Sequence, residues 1–305
     1  MKKHAPTGEK SGLSAVYQRV TQRILDKLEE GVVPWHSPHT ATVGFPCNFQ
    51  SQNLYRGINV MLLAMAGYTS PYFLTYRQAL EMGGQVRRGE SGYPVIKYGS
   101  YKRQDQEDDE KPNLYLRLYT VFNACQIDGI NFPEPEPQPF TPSQRVGVAK
   151  SLVEGMVNPP VIHEGRSVRT CYDPRSDEIE IPNRSYFENE ERFYKSLFHE
   201  LVHATGSSKR LARKSLIDNK GRLAGNRVVY SKEELVAELG TAFVCAHAGI
   251  VMDDHDHSAS YIQSWLRVLQ SSDNRRWLIE AAAHAQRAAD YLIGYTAEGE
   301  SHGPN

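Results

Sequence analysis

The residues best suited to chemistry are His199, Glu200 and His203, in the run Phe198-His199-Glu200-Leu201-Val202-His203. Two histidines four apart lie one above the other on a helix face, so both imidazoles can converge on one ion. Glu200, one position on, can reach a water on that ion and take its proton. Zinc lowers the pKa of such a water to about 7, which makes a nucleophile available at neutral pH. A His-Glu-x-x-His run turns up by chance in roughly a few per cent of chains this rich in histidine. Here Leu197, Phe198, Leu201 and Val202 flank the motif and would bury its helix in a core. A buried helix rarely carries three ionisable groups without a use.

A catalytic zinc, or another divalent metal in its place, needs a third protein ligand and an open position. A histidine six residues past the motif is excluded, because Lys209 stands there, and Gly206 reads as a helix C-cap. A glutamate on a following helix is the other source. Ser231-Lys-Glu-Glu-Leu-Val-Ala-Glu-Leu-Gly supplies it, with Ser231 and Glu234 spaced as a capping box. Glu234 and Glu238 share one face of that helix, and Glu233 points elsewhere. Glu234 is therefore assigned as third ligand and Glu238 as the carboxylate that orients a ligating imidazole. The reverse assignment stays open, as does ligation by His247. Tyr230 could donate to a tetrahedral oxyanion. The strand over 178–181 could be the sheet edge that pairs with an extended peptide.

The elements that must position these groups can be read along the chain. Helical spacing and breakers predict helices over 14–30, 58–66, 75–82, 143–157, 188–204, 231–249, 258–271 and 274–294. Strands are expected over 93–98, 114–122, 161–163 and 178–181, with the acidic loop 104–112 between the first two and a turn at Cys171-Tyr-Asp-Pro-Arg-Ser-Asp177. Residues 1–10 read as disordered. Five prolines in residues 131–142 stiffen the chain as a spacer. The fold expected is α+β in two domains, 1–131 and 143–305, joined by a linker over 132–142.

The 305 residues are 40% hydrophobic and 23% charged, as in globular proteins. Four distant cysteines make no pair of ligand spacing, which fits a reducing cytoplasm. Nothing reads as a secretory signal or as a membrane-spanning run of about 20 apolar residues, so no membrane partner is expected. Residues 1–100 hold eleven Lys/Arg against six Asp/Glu, and ten of the 17 tyrosines precede residue 140. A basic, aromatic-rich first half hints at nucleic-acid binding.

The motifs together, in this order, resemble the plasmid-borne ArdC-type antirestriction proteins. VTQRILDKLEEGVVPW (20–35), NLYRGINVMLL (53–63), LTYRQALEMGGQVRRGESGYPV (74–95) and YTVFNACQIDGI (119–130) resemble the N-terminal domain these share with TraC-type conjugative primases. SLFHELVHATG (196–206) and YSKEELVAELGTAF (230–243) resemble their zincin-like metallopeptidase domain. The chain departs from the pattern at His39, Phe73 and Ser91. The resemblance implies a bacterial, plasmid-encoded protein of conjugation that binds single-stranded DNA with its first domain and protects incoming DNA from restriction. A protein substrate, for which part of a restriction system is the candidate, would meet the second. The alternative is a non-enzymatic protector whose metal is structural. Single strands are held by cations and by aromatic faces on which bases stack. The candidates are Trp35, Tyr55, Arg56, Tyr76, Arg77, Arg87, Arg88, Lys97, Tyr101, Lys102, Arg103 and Arg117, with the Arg87-Arg88 pair foremost.

Overall fold

The computed structural model describes residues 8–36, 43–101, 113–134, 140–217, 227–252, 259–271 and 275–295. The first half contributes α1 (Gly8–Glu29), a 3-10 turn (Pro34–His36), α2 (Ile58–Ala64) and α3 (Tyr76–Glu81). Its strands are β1 (Cys47–Asn48), β2 (Tyr72–Thr75), β3 (Gln85–Val86), β4 (Tyr93–Tyr101), β5 (Asn113–Asn123) and β6 (Ile127–Asp128). A four-stranded sheet runs β1-β2-β5-β4, and β3 pairs with β6. The long β4–β5 pair is antiparallel, with Tyr93 opposite Val121 and Tyr101 opposite Asn113. Thr75 starts α3 with a capping box closed by Gln78, which satisfies two otherwise orphan donors.

The second half contributes α4 (Pro142–Glu154), β7 (Val161–Glu164), β8 (Cys171–Asp173), β9 (Glu178–Ile181), α5 (Glu190–Thr205), α6 (Lys214–Ile217), α7 (Arg227–Ala248), α8 (Ala259–Leu269) and α9 (Arg275–Ile293). Helix α4 opens on Thr141, Pro142 and Gln144, a capping box with proline in the first turn. Helix α5, which carries the motif, is capped by Asn189 and has Glu190 and Glu191 in its first turn, where the helix dipole favours acids. The α+β class expected from the sequence is the class observed.

Four local expectations are corrected. Residues 8–10, read as disordered, belong to α1. Helix α7 begins at Arg227, four residues before Ser231, so Ser231 is inside the helix and not its N-cap. The stretch read as a turn after residue 170 contains a strand, β8. The small sheet runs β7-β9-β8, so Glu178–Ile181 is the central strand and β8 the edge. A central strand has neighbours on both sides and cannot take a peptide as a third.

Buried side chains from both halves form one cluster. It joins Val20, Ile24 and Leu28 of α1, Trp35, and Met61 and Leu62 of α2 to Phe193, Leu197 and Leu201 of α5, Leu235 and Leu239 of α7, Trp265 of α8 and Leu278 of α9. The Trp35 and Trp265 rings meet edge to face, 5.7 Å between centroids. Residues 135–139 of the proline-rich stretch lie outside the described residues, as does the loop 104–112.

Candidate metal centre

Helices α5 and α7 cross where the chemistry is. A methyl group at Gly240 would come 2.7 Å from Val202 Cγ1, so glycine there permits the close crossing. The His199 and His203 rings stand 4.9 Å apart on one face of α5. The Glu234 carboxylate faces both, with Oε2 3.5 Å from His199 Nε2 and Oε1 3.4 Å from His203 Nε2. One donor atom from each of the three residues falls within 4.8 Å of the others. Two imidazoles and a carboxylate with an open side suit a catalytic divalent cation such as zinc. Burial acts to raise the Glu234 pKa, but hydrogen bonding to His199 and His203, and their charge, hold it well below the carboxylate range.

Behind His203 lies a second carboxylate. Glu233 is wholly buried, and its Oε1 is 3.4 Å from His203 Nδ1. The reading in which Glu233 points elsewhere is therefore corrected. An imidazole offers nitrogens on two sides, so adjacent residues on a crossing helix can bracket it. Arg213 Nη2 donates to Glu233 Oε1 at 2.5 Å and to the Val202 carbonyl at 2.7 Å, and Ser215 Oγ donates to Glu233 Oε2 at 2.6 Å. Burial would raise the Glu233 pKa; Arg213 and His203 bring it to about 2. Burial would lower the His203 pKa; Glu233 and Glu234 lift it to about 10. The pocket thus demands positive charge at this imidazole, and a metal cation can supply it in place of the proton. Gly206 ends α5 as the C-cap with φ −75, an ordinary helical value. What it provides is room: a methyl group there would meet Arg213 Nη2 at 2.8 Å.

In front of the histidines, Glu200 is buried and accepts a hydrogen bond from the Tyr172 backbone N–H, 2.8 Å away. The edge strand β8 thereby fixes this carboxylate. Tyr172 is itself held by its hydroxyl, which donates to Asp177 at 2.8 Å. Asp177 also receives Lys209 at 3.0 Å and the buried Arg210. Lys209, at the position where some zinc sites place a third histidine, serves this buttress.

A cavity of about 360 Å³ opens beside His199 and Glu200, lined also by Glu238, Thr170, Tyr261 and His36. Glu238 makes its ion pair with a residue outside the motif. Its Oε2 lies 3.4 Å from Nε2 of His36, which comes from the first half of the chain. The Tyr261 ring stacks on His36, with centroids 6.1 Å apart. His247 is exposed and does not belong to the converging group. Tyr230 falls in α7, and its side chain lies outside the described residues.

The nucleic-acid candidates separate. Trp35 is buried at 4% exposure against Trp265, so it is a core residue and not a stacking platform. Tyr55 packs edge to face on Phe73, and burial pushes its hydroxyl up to about 12. Arg56 is bound to Asp290 of α9. Arg87 pairs with Glu90 at 3.0 Å and with Asp128 at 3.3 Å, and Arg77 with Glu81 at 2.7 Å. Arg88 and Tyr76 are exposed. Lys97 of β4 is directly opposite Arg117 of β5. Tyr115 and Tyr119, two residues either side of Arg117, share its face of the sheet by strand alternation, and Tyr119 is exposed. Sequence reasoning misses both tyrosines, although the alternation of β5 is a signal that could have found them. Lys102 and Arg103 lie outside the described residues, as does the side chain of Tyr101.

Comparison with known proteins bears on both halves. Residues 14–122 match the family described as the N-terminal domain of anti-restriction factor ArdC. Residues 157–284 match the family described as zincin-like metallopeptidase. The protein y4eC of Sinorhizobium fredii is 33% identical over 294 residues, covering 91% of each chain. DNA primase TraC of Escherichia coli is 30% identical over 302 residues, covering 92% of this chain but only 27% of the primase. The crystal structure of the antirestriction ArdC protein from plasmid R388, in its metal-free form, superposes with a TM-score of 0.72 at 38% identity, covering 93% of this chain and 99% of that one. Its Mn(II)-bound form gives 0.71 at 37%. Among the described residues no helix is long and apolar enough to cross a membrane.

Proposed function

Because this chain belongs to the ArdC-type antirestriction family, we propose that it protects incoming DNA from restriction during conjugation, holding single-stranded DNA and cutting a protein at a zinc site. The observation that carries the second activity is the pairing of a three-donor cluster, His199, His203 and Glu234, with a separately fixed carboxylate, Glu200. A purely structural site has no need of a base beside its ligands. Zinc bound there would polarise a peptide carbonyl and acidify a water. Glu200, held by the Tyr172 N–H, is placed to act as the general base toward such a water and would return the proton to the leaving amine. Glu233, 3.4 Å from His203 Nδ1, would favour the tautomer with the proton on Nδ1, leaving Nε2 free to hold a metal. The R388 relative has been solved in a Mn(II)-bound form, which supports a divalent cation in this family.

The DNA reading draws its support from the β4–β5 face, where Lys97 and Arg117 are directly opposed. Two cations on one face of the hairpin, with the Arg117 guanidinium over the Tyr115 ring at 5.0 Å, suit the phosphate backbone of a single strand. Tyr119, exposed two residues along from Arg117, supplies a ring face on which a base can stack.

Glu200→Gln separates the two readings. It should keep one metal per chain and bind single-stranded DNA normally, while peptidase activity falls by about 10²-fold or more, as loss of a general base predicts. Restriction protection should fall with it. Unchanged peptidase activity would remove Glu200 as the base. Full protection by an inactive variant would favour the non-enzymatic protector.

A further inference from the structure

A second cavity, about 700 Å³, opens on the far side of the Arg213–Glu233 pair from the metal cluster, between α6, α7 and α9. That volume is within the range of small-molecule sites, about 300–1,000 Å³. Its charged lining is one-sided: Lys214, Lys232, Arg287 and Arg213 against Glu280 alone. Arg213 is already neutralised by Glu233, and Glu280 sits 3.9 Å from Lys232. Lys214 and Arg287 therefore leave the cavity net positive. The field is felt by His284 in the wall, whose pKa is lowered by burial and then by Arg287 and Arg213. The apolar part of the wall contains Leu211, Val236 and a partly exposed aromatic ring, Trp277. Lys232 Nζ lies over one face of that ring, 4.4 Å from its centre, which leaves the opposite face for a base.

A cationic rim beside an indole face is the combination that holds a phosphate and its base together. We propose that this cavity binds a nucleotide, with its phosphate on Lys214 and Arg287 and its base on Trp277. The ligand could be free or one unit of a single strand. This site is on the peptidase half, apart from the β4–β5 face, and the inference does not depend on peptidase activity.

Tryptophan emission of the full-length protein tests it. Trp35 and Trp265 are buried, so Trp277 is the indole that an added base can quench. Thymidine monophosphate and oligothymidylate should each quench the emission, and Trp277→Phe should abolish the change. Lys214→Glu with Arg287→Glu should weaken binding about tenfold or more, with circular dichroism and metal content unchanged. Should that reversal disturb the fold, Lys214→Gln with Arg287→Gln makes the same comparison. Lys97→Ala with Arg117→Ala should leave the Trp277 signal in place. Equal affinity for monophosphate and oligomer would assign a free nucleotide, and a tighter oligomer would assign a strand; both support the proposal. It is overturned if neither ligand quenches, if the charge variants bind as well as wild type, or if inorganic phosphate competes as strongly as the nucleotide.

Discussion

At the residue scale, the metal cluster shows what spacing can and cannot tell. His199, Glu200 and His203 are legible because the i and i+4 geometry of a helix leaves little freedom. The face shared by Glu234 and Glu238 is equally legible, but which partner each meets depends on how α7 crosses α5. That crossing puts Glu233 and Glu234 on the two nitrogens of one imidazole and sends Glu238 to His36. Sequence carries no sign of it beyond Gly240, whose missing side chain makes room for Val202. The three glutamates should therefore differ when each is replaced by alanine. Glu234→Ala should lose most metal binding. Glu233→Ala should weaken it by about 10–100-fold, the usual effect of removing a partner that orients a ligand. It should also destabilise the fold by about 3–5 kcal/mol, since Arg213 is left as an uncompensated buried charge. Glu238→Ala should leave metal affinity within about twofold. Competition with a fluorescent zinc chelator reads all three, and a larger loss for Glu238 than for Glu234 would exchange their roles.

At the scale of elements, the long helices are legible from their apolar stripes and caps, and the β4–β5 hairpin from its alternation. Strands of two or three residues, such as β1, β3 and β8, offer no period to read. That is why β8 reads as a turn, although its Tyr172 N–H fixes Glu200. The capping signal at Ser231 misleads for a related reason. It is a local preference, and the helix continues through it from Arg227. Charge balance in the first half points at nucleic acid, but single residues cannot be sorted without the ion pairs that occupy Arg56, Arg77 and Arg87. The hairpin face yields a sharp expectation. Lys97→Ala with Arg117→Ala should weaken single-stranded DNA binding and flatten its log–log salt dependence by about 0.7 for each phosphate that is no longer neutralised. Arg87→Ala should change it little, because its guanidinium is held by Glu90 and Asp128. Filter binding at several salt concentrations decides, and a larger effect at Arg87 would move the interface to the α3–β3 side.

At the scale of the whole molecule, the proline-rich stretch suggests two separable bodies, and the packing argues for one cooperative unit. Helix α1, the Trp35 turn and α2 bury their apolar faces in the same cluster as the motif helix and the last two helices. Neither half can be removed without exposing the other's core, so the two proposed functions are best separated by point substitutions in the intact chain. His36 reaching Glu238 extends that union to the cavity beside the metal cluster. Thermal unfolding should accordingly show a single transition, moved upward as a whole by zinc, because a ligand of the folded state alone stabilises everything that unfolds with it. Trp35→Ala is the strongest probe, since that ring is in the first half and packs on Trp265 in the second. Removing a buried tryptophan side chain costs about 3–5 kcal/mol. The one transition should fall by roughly 5–10 °C and stay single, with zinc still raising it. Scanning calorimetry with and without a chelator measures this. Two transitions, of which Trp35→Ala moves only one and zinc only the other, would mean that the halves fold independently despite their shared core.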